Sequence, residues 1–120
     1  MKPMFERYSF VAITTTDLGR ARRFWVDQLG FRVTEERHDD FFIIDAGGLR
    51  LCVDLADGGI HVAGGTDPVV GLKVASLDAV LVELAAHGVR AASPPAPGGR
   101  GRYAVLRDPD GRPVILTETD

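Results

Sequence analysis

A chain of 120 residues, 45% hydrophobic and 26% charged, has the size and make-up of a single globular domain that can bury a core without covalent staples. Its 14 Lys plus Arg against 17 Asp plus Glu leave a net charge of −3 and no broad basic field, so nucleic acid is not expected as a partner. The single cysteine, Cys52, cannot form an internal disulfide, and the opening MKPMFERYSF has neither a long apolar run nor a cleavage pattern; a cytoplasmic protein with no membrane partner is expected.

In chain order, Phe10-Val11-Ala12-Ile13-Thr14 reads as an apolar strand running into a helix start at Asp17, whose side-chain oxygen can accept a bond from an orphan helix N–H. Leu18, Ala21, Trp25 and Leu29 recur at three- and four-residue spacing as one helical stripe, on which Trp25 suits a core better than a pocket. Gly30 can take the left-handed conformation that closes a helix, and Phe31-Arg32-Val33 begins the next strand. His38 adjoins Asp39-Asp40 at an expected turn. Phe41-Phe42-Ile43-Ile44 and Leu49-Arg50-Leu51-Cys52-Val53 are strands joined by the turn Asp45-Ala46-Gly47-Gly48. His61 falls in an inter-module segment.

The pattern then repeats. Val69-Val70-Gly71-Leu72-Lys73 matches the first strand at an offset of 59 residues, with Ser76 as the helix cap. Leu77, Val80, Leu81 and Leu84 form the second helical stripe, His87 ends it, and Gly88 follows at an offset of 58 from Gly30. Val89-Arg90-Ala91 is expected to begin a strand, whereas Ser93-Pro94-Pro95-Ala96-Pro97-Gly98-Gly99 is too rich in Pro and Gly for one and reads as a loop, a candidate lid over residues 93–101. Tyr103-Ala104-Val105-Leu106, the turn Asp108-Pro109-Asp110-Gly111 and Val114-Ile115-Leu116 complete the second half. The prediction is an α+β fold of two βαβββ modules, about residues 5–56 and 67–119, in one domain spanning 1–120.

Val11-Ala12-Ile13-Thr14 before Asp17-Leu18, Phe24-Trp25 before Leu29-Gly30-Phe31, and the Asp108–Gly111 turn together resemble the vicinal-oxygen-chelate superfamily of glyoxalases, extradiol dioxygenases and bleomycin-resistance proteins. The resemblance implies a curved eight-stranded mixed sheet, a cup, with helices on its convex face and the site on its concave one. It also implies closure of the cup within one chain or by exchange between two, and a homodimer is expected. In metal-dependent members the first and fourth strands of each module supply His and Glu ligands to a divalent ion. The corresponding positions here are Phe10, Cys52, Val69 and Ile115, which offer at most one thiolate where such an ion needs about three nitrogen or oxygen ligands. Single strand Phe, Val and Ile residues are commonly plain core; four at these positions point to a site with no metal and no cofactor.

Alternation along each strand then fixes the expected cup lining: Phe10, Ala12 and Thr14; Arg50, Cys52 and Asp54; Val69, Gly71 and Lys73; Pro113, Ile115 and Thr117; with Phe42 and Ile44 in one third strand and Tyr103, Val105 and Arg107 in the other. The complementary set, including Phe41, Ile43, Leu51 and Val53, is expected to pack under the helices. The candidate ligand-binding residues are thus Phe10, Phe42, Arg50, Cys52, Asp54, Val69, Lys73, Tyr103, Arg107 and Ile115, and the expected ligand is an apolar or aromatic small molecule. Burying ~300 Å² of it would yield about 7 kcal/mol before association costs, so the polar groups must contribute. Sequestration of a drug-like molecule, as in bleomycin-resistance proteins, is the leading expectation. The alternatives are a metal-free enzyme using Asp54 or Asp40 as base with Arg107 or Lys73 at an oxyanion, and a divalent-metal-dependent lyase or dioxygenase.

Overall fold

The computed structural model describes residues 10–37, 39–55, 68–98 and 101–119. His38, His61 and the last part of the candidate lid, residues 99 and 100, lie outside them. Strand β1 (Val11–Thr15) leads into helix α1 (Leu18–Arg22), which continues as a π-helical stretch over Arg23–Gln28. Strands β2 (Arg32–Arg37), β3 (Phe41–Ala46) and β4 (Leu49–Leu55) complete the first half. The second half repeats the order with β5 (Val70–Lys73), α2 (Leu77–Ala86), β6 (Ala96–Gly98), β7 (Gly101–Arg107) and β8 (Pro113–Thr119).

The sheet orders are β1-β4-β3-β2 and β5-β8-β7-β6, the same permutation twice. In each half the first strand pairs parallel to the last and the remaining pairs are antiparallel. The fold is therefore the expected α+β repeat, built as two four-stranded sheets. Among the described strands no ladder pairing joins the two sheets into the single curved sheet that the resemblance implied. The halves are joined by hydrogen bonds that involve side chains. Thr15 Oγ1 donates to Asp110 Oδ2 at 2.6 Å, Thr16 N–H donates to Asp110 Oδ1 at 3.1 Å, and Arg112 donates to the Thr14 carbonyl. A common core, with Ile13, Trp25, Leu51 and Val53 from the first half and Val70, Leu77, Leu106 and Val114 from the second, lies beneath both helices.

Both helix starts form as their cap residues dictate, with Asp17 Oδ1 accepting from Arg20 N at 3.1 Å and Ser76 Oγ accepting from Ala79 N at 3.3 Å. Their ends differ instructively. Gly30 and Gly88 both adopt left-handed backbone, at φ of 85° and 84°. Thirteen residues separate Asp17 from Gly30 but only twelve separate Ser76 from Gly88, and the π-helical stretch absorbs the extra one. Its signature is the bond from Leu29 N to the Phe24 carbonyl at 2.9 Å, five residues back.

Two sequence expectations for the second half are corrected. Val89-Arg90-Ala91 is not a strand; Val89 instead turns into the core and bonds the Leu84 carbonyl at 2.9 Å to close α2. Part of the predicted loop is a strand, since Ala96–Gly98 pairs with β7. The sheet edge tolerates Pro97, because one side of an edge strand needs no donors. No helix among the described residues is long and apolar enough to cross a membrane.

Candidate functional site

On β4 the side chains alternate as expected: Leu51 and Val53 are in the core, leaving Arg50, Cys52 and Asp54 on the opposite, concave face. The antiparallel register then decides β3, placing Phe41 opposite Asp54, Ile43 opposite Cys52 and Asp45 opposite Arg50. Phe41 and Ile43 thus share the concave face, while Phe42 and Ile44, at 1% and 0% exposure, belong to the helix-covered core. This reverses the expected lining, in which Phe42 faced the ligand. The run Phe41–Ile44 is apolar on both faces and carries no alternation, so only the turn fixes its parity. The turn residues Gly47 and Gly48, both left-handed at φ of 68° and 98°, leave Ala46 opposite Leu49, which sets every pair behind them.

The concave face of the first sheet holds a pocket of about 250 Å³. Phe10, Phe41 and Ile43 form its apolar wall, Cys52 lies beside them, and Glu35, Arg50 and Asp54 supply the polar groups. Arg50 Nη2 pairs with Glu35 Oε2 at 3.0 Å. Asp54 is only 4% exposed. Burial, followed by the nearby Asp54 and Glu35 charges, pushes the Cys52 thiol up to about 11, against a smaller opposing pull from Arg50. Cys52 is therefore a neutral, apolar part of the surface at neutral pH and not a nucleophile.

Of the ten residues expected in one cup, this pocket gathers Phe10, Arg50, Cys52 and Asp54. Val69, Lys73, Tyr103 and Ile115 belong to the second half, where the register sets Tyr103 and Lys73 both across from Thr117. They do not enter the first sheet's pocket. Arg107 lines a different cleft beside the helices. Asp40 is engaged with Arg37 at 3.4 Å, and neither Arg107 nor Lys73, the expected oxyanion partners, lines the pocket that holds Asp54. Glu35, Phe41 and Ile43 were missed. Counting pairs back from the Gly47–Gly48 turn would have found the last two, and Glu35 sits opposite Ile43 just past an irregularity in β2. A more open hollow of about 690 Å³ lies between the start of α1 and the β2–β3 hairpin, bordered by Phe41 and Phe42 and bridged by the Arg22–Glu36 ion pair.

Phe10, Cys52, Val69 and Ile115, the positions at which the family resemblance implied metal ligands, offer at most one thiolate, and no group of three or more His, Cys, Asp or Glu that could hold an ion occurs among the described residues.

The family model described as Glyoxalase/Bleomycin resistance protein/Dioxygenase superfamily matches residues 7–116. No curated protein matches. Among solved structures, the chain is similar to a glyoxalase family protein from Enterococcus faecalis, with 23% identity over 97% of this chain and 100% of that one and a TM-score of 0.75. It is similar to TnmS3, an antibiotic binding protein from a Streptomyces species, with 21% identity, coverage of 97% and 99%, and a TM-score of 0.73. A lactoylglutathione lyase from Agrobacterium tumefaciens gives 16% identity, coverage of 97% and 96%, and a TM-score of 0.75. At these identities the likeness establishes the shared fold.

Proposed function

The chain belongs to the glyoxalase/bleomycin resistance protein/dioxygenase superfamily, and we propose that it acts in the cytoplasm as a metal-independent binder of an apolar or aromatic small molecule, of the drug-sequestering kind. The observation that carries this reading is the character of the concave face, where Phe10, Phe41 and Ile43 surround a protonated Cys52. Apolar walls with a few placed polar groups are the usual composition of a small-molecule site. The antibiotic-binding relative on the same fold is consistent with it.

Size adds the assembly. A pocket of about 250 Å³ is below the roughly 300–1,000 Å³ typical of drug-sized sites. It holds a ring system and leaves the rest of a larger ligand to be covered. A homodimer, in which a second copy closes over the open sheet face, supplies that cover and is part of the proposal. The functional residues are then Phe10, Phe41, Ile43, Arg50, Cys52 and Asp54 on the first sheet, with Val69, Lys73, Tyr103 and Ile115 contributing from the second.

The test uses the aromatic dye 1-anilinonaphthalene-8-sulfonate as probe, with light scattering and metal analysis on the same preparation. The expected result is saturable fluorescence enhancement by a dimer without stoichiometric metal, weakened at least tenfold in Phe10→Ala and Phe41→Ala while both variants remain folded. Unchanged dye affinity in both variants, or a stoichiometric divalent ion, overturns the reading. The buried Asp54 carboxylate beside the pocket favours one second reading, metal-free general-base catalysis; turnover of a bound compound that vanishes in Asp54→Asn would establish it.

A further inference from the structure

We propose that the protein carries an oxyanion site, separate from the concave pocket, that takes a phosphate group. The site is a cleft of about 290 Å³ where α1, the end of α2 and the β7–β8 turn meet. Arg20, Arg23, Arg90 and Arg107 line it, with Phe24 and Gln28 forming part of its wall. It shares no lining residue with the concave pocket.

Five arginines among the described residues are neutralised by carboxylates. Arg22 pairs with Glu36, Arg37 with Asp40, Arg50 with Glu35, Arg102 with Asp78 and Glu118, and Arg112 with Asp108. Among the described residues, five arginines remain without a carboxylate partner, namely Arg20, Arg23, Arg32, Arg90 and Arg107, and four of these five line this one cleft. The single acidic residue of the lining, Asp108, offers them nothing: its side chain is 1% exposed and is bonded by the Arg112 guanidinium at 2.6 Å and by the Arg112 and Asp110 amides at 2.9 and 3.0 Å.

Unbalanced guanidinium groups gathered in one concavity repel one another, and a multivalent oxyanion relieves that repulsion while accepting their planar, paired donors. Two of the four are already oriented by main chain. Arg20 Nη2 donates to the Pro109 carbonyl at 3.5 Å and Arg107 Nη1 to the Gly111 carbonyl at 3.3 Å, fixing both against the same turn. A tetrahedral anion presents oxygens in three dimensions to arginines that approach from different sides, whereas a carboxylate's acceptor sites lie in one plane, and the cleft of about 290 Å³ leaves room for a substituent beyond the phosphate itself. The ligand class is therefore inorganic phosphate or the phosphate group of a small ester.

The test is an amide and arginine Nε–H NMR titration of the full chain with inorganic phosphate and, separately, with phenyl phosphate, against chloride at matched ionic strength. Saturable shifts at Gly88, Val89 and Arg90 in the millimolar range are expected, weakened roughly three- to fivefold in each of Arg23→Gln and Arg90→Gln, the loss appropriate to one exposed charge contact. Arg32→Gln, which removes the unpaired arginine lying elsewhere, should leave the titration unchanged. Tighter binding of the ester assigns a phosphorylated small molecule, and equal binding assigns the free ion; either supports the site. Shifts that fail to saturate with both probes, or affinities equal in Arg23→Gln, Arg90→Gln and the unaltered protein, overturn it. Dye binding to the concave pocket should survive both substitutions, so the two sites stand or fall separately.

Discussion

The facing of β3 offers the sharpest test of the site, because adjacent phenylalanines have opposite assignments. Phe42 is 1% exposed within the common core, with the Arg22 guanidinium 5.1 Å from its ring centroid. Truncating a buried phenylalanine to alanine costs about 3–5 kcal/mol through lost transfer energy and the cavity left behind, and the lost cation–π contact adds about 0.5–1 kcal/mol. Against a typical total stability of about 5–15 kcal/mol, Phe42→Ala should forfeit at least about a quarter of the total. For a chain of this length each kcal/mol shifts the melting temperature by roughly 3–6 °C, so the drop should be at least about 10 °C. Phe41, half-buried on the open face, forfeits only part of a side chain's burial, about 1 kcal/mol. Urea denaturation of the two alanine variants followed by circular dichroism, with equal m-values, measures both numbers. Equal losses, or a larger loss in Phe41→Ala, would refute the register argument and return Phe42 to the ligand face.

Further outcomes follow from the other interactions. With its pKa near 11 against an ordinary 9.0, Cys52 should be alkylated by iodoacetamide at pH 8 about a hundredfold more slowly in the folded protein than in urea. Because this pKa is raised in the folded state, Cys52's contribution to stability is present below about pH 9 and is lost as pH climbs toward 11. Burial works to raise the pKa of Asp110, but hydrogen bonds from Thr15 and Thr16 outweigh it, and the Leu77 N–H followed by Arg102 depresses that of Glu118. Both carboxylates therefore favour the folded state above the ordinary carboxylate range, and this contribution disappears as pH falls through their lowered values; an acid titration of unfolding should lose part of its slope in Asp110→Asn. The same substitution, which weakens the link between the halves, should cost about 1 kcal/mol at pH 7 by urea denaturation. Gly88→Ala, at φ of 84°, should cost about 1–2 kcal/mol through backbone strain alone, detectable as a lower melting temperature.

What the sequence disclosed, and what it concealed, follow from how each signal arises. The repeat was legible because both halves advertise it with the same local chemistry: Asp17 and Ser76 as caps, Gly30 and Gly88 as helix ends, and the turns at Asp45–Gly48 and Asp108–Gly111. Even the single-residue mismatch between offsets of 59 and 58 had a physical counterpart in the π-helical stretch. The strand at Ala96–Gly98 was hidden because edge pairing overrides the low strand propensity of Pro and Gly when β7 provides the template. The β3 facing was hidden for the opposite reason, since four consecutive apolar residues suit either face and only pair-counting from a turn separates them.

The arginine cleft was invisible for a third reason, which concerns how charge is read. A net charge of −3 argues against a broad basic field, yet screening at physiological salt confines each charge to about 8 Å. An ion entering the cleft therefore responds to Arg20, Arg23, Arg90 and Arg107, not to the carboxylates that outnumber the basic residues over the whole chain. Arg20 comes from α1, Arg23 from the start of the π-helical stretch, Arg90 from the segment after α2 and Arg107 from the end of β7, so no short sequence window contains more than two of them. They converge only because the helix ends sit together, with Gln28 Nε2 bonding the His87 carbonyl at 3.0 Å. The packing of the two helix ends against each other is thus what assembles a basic cleft that neither half has by itself.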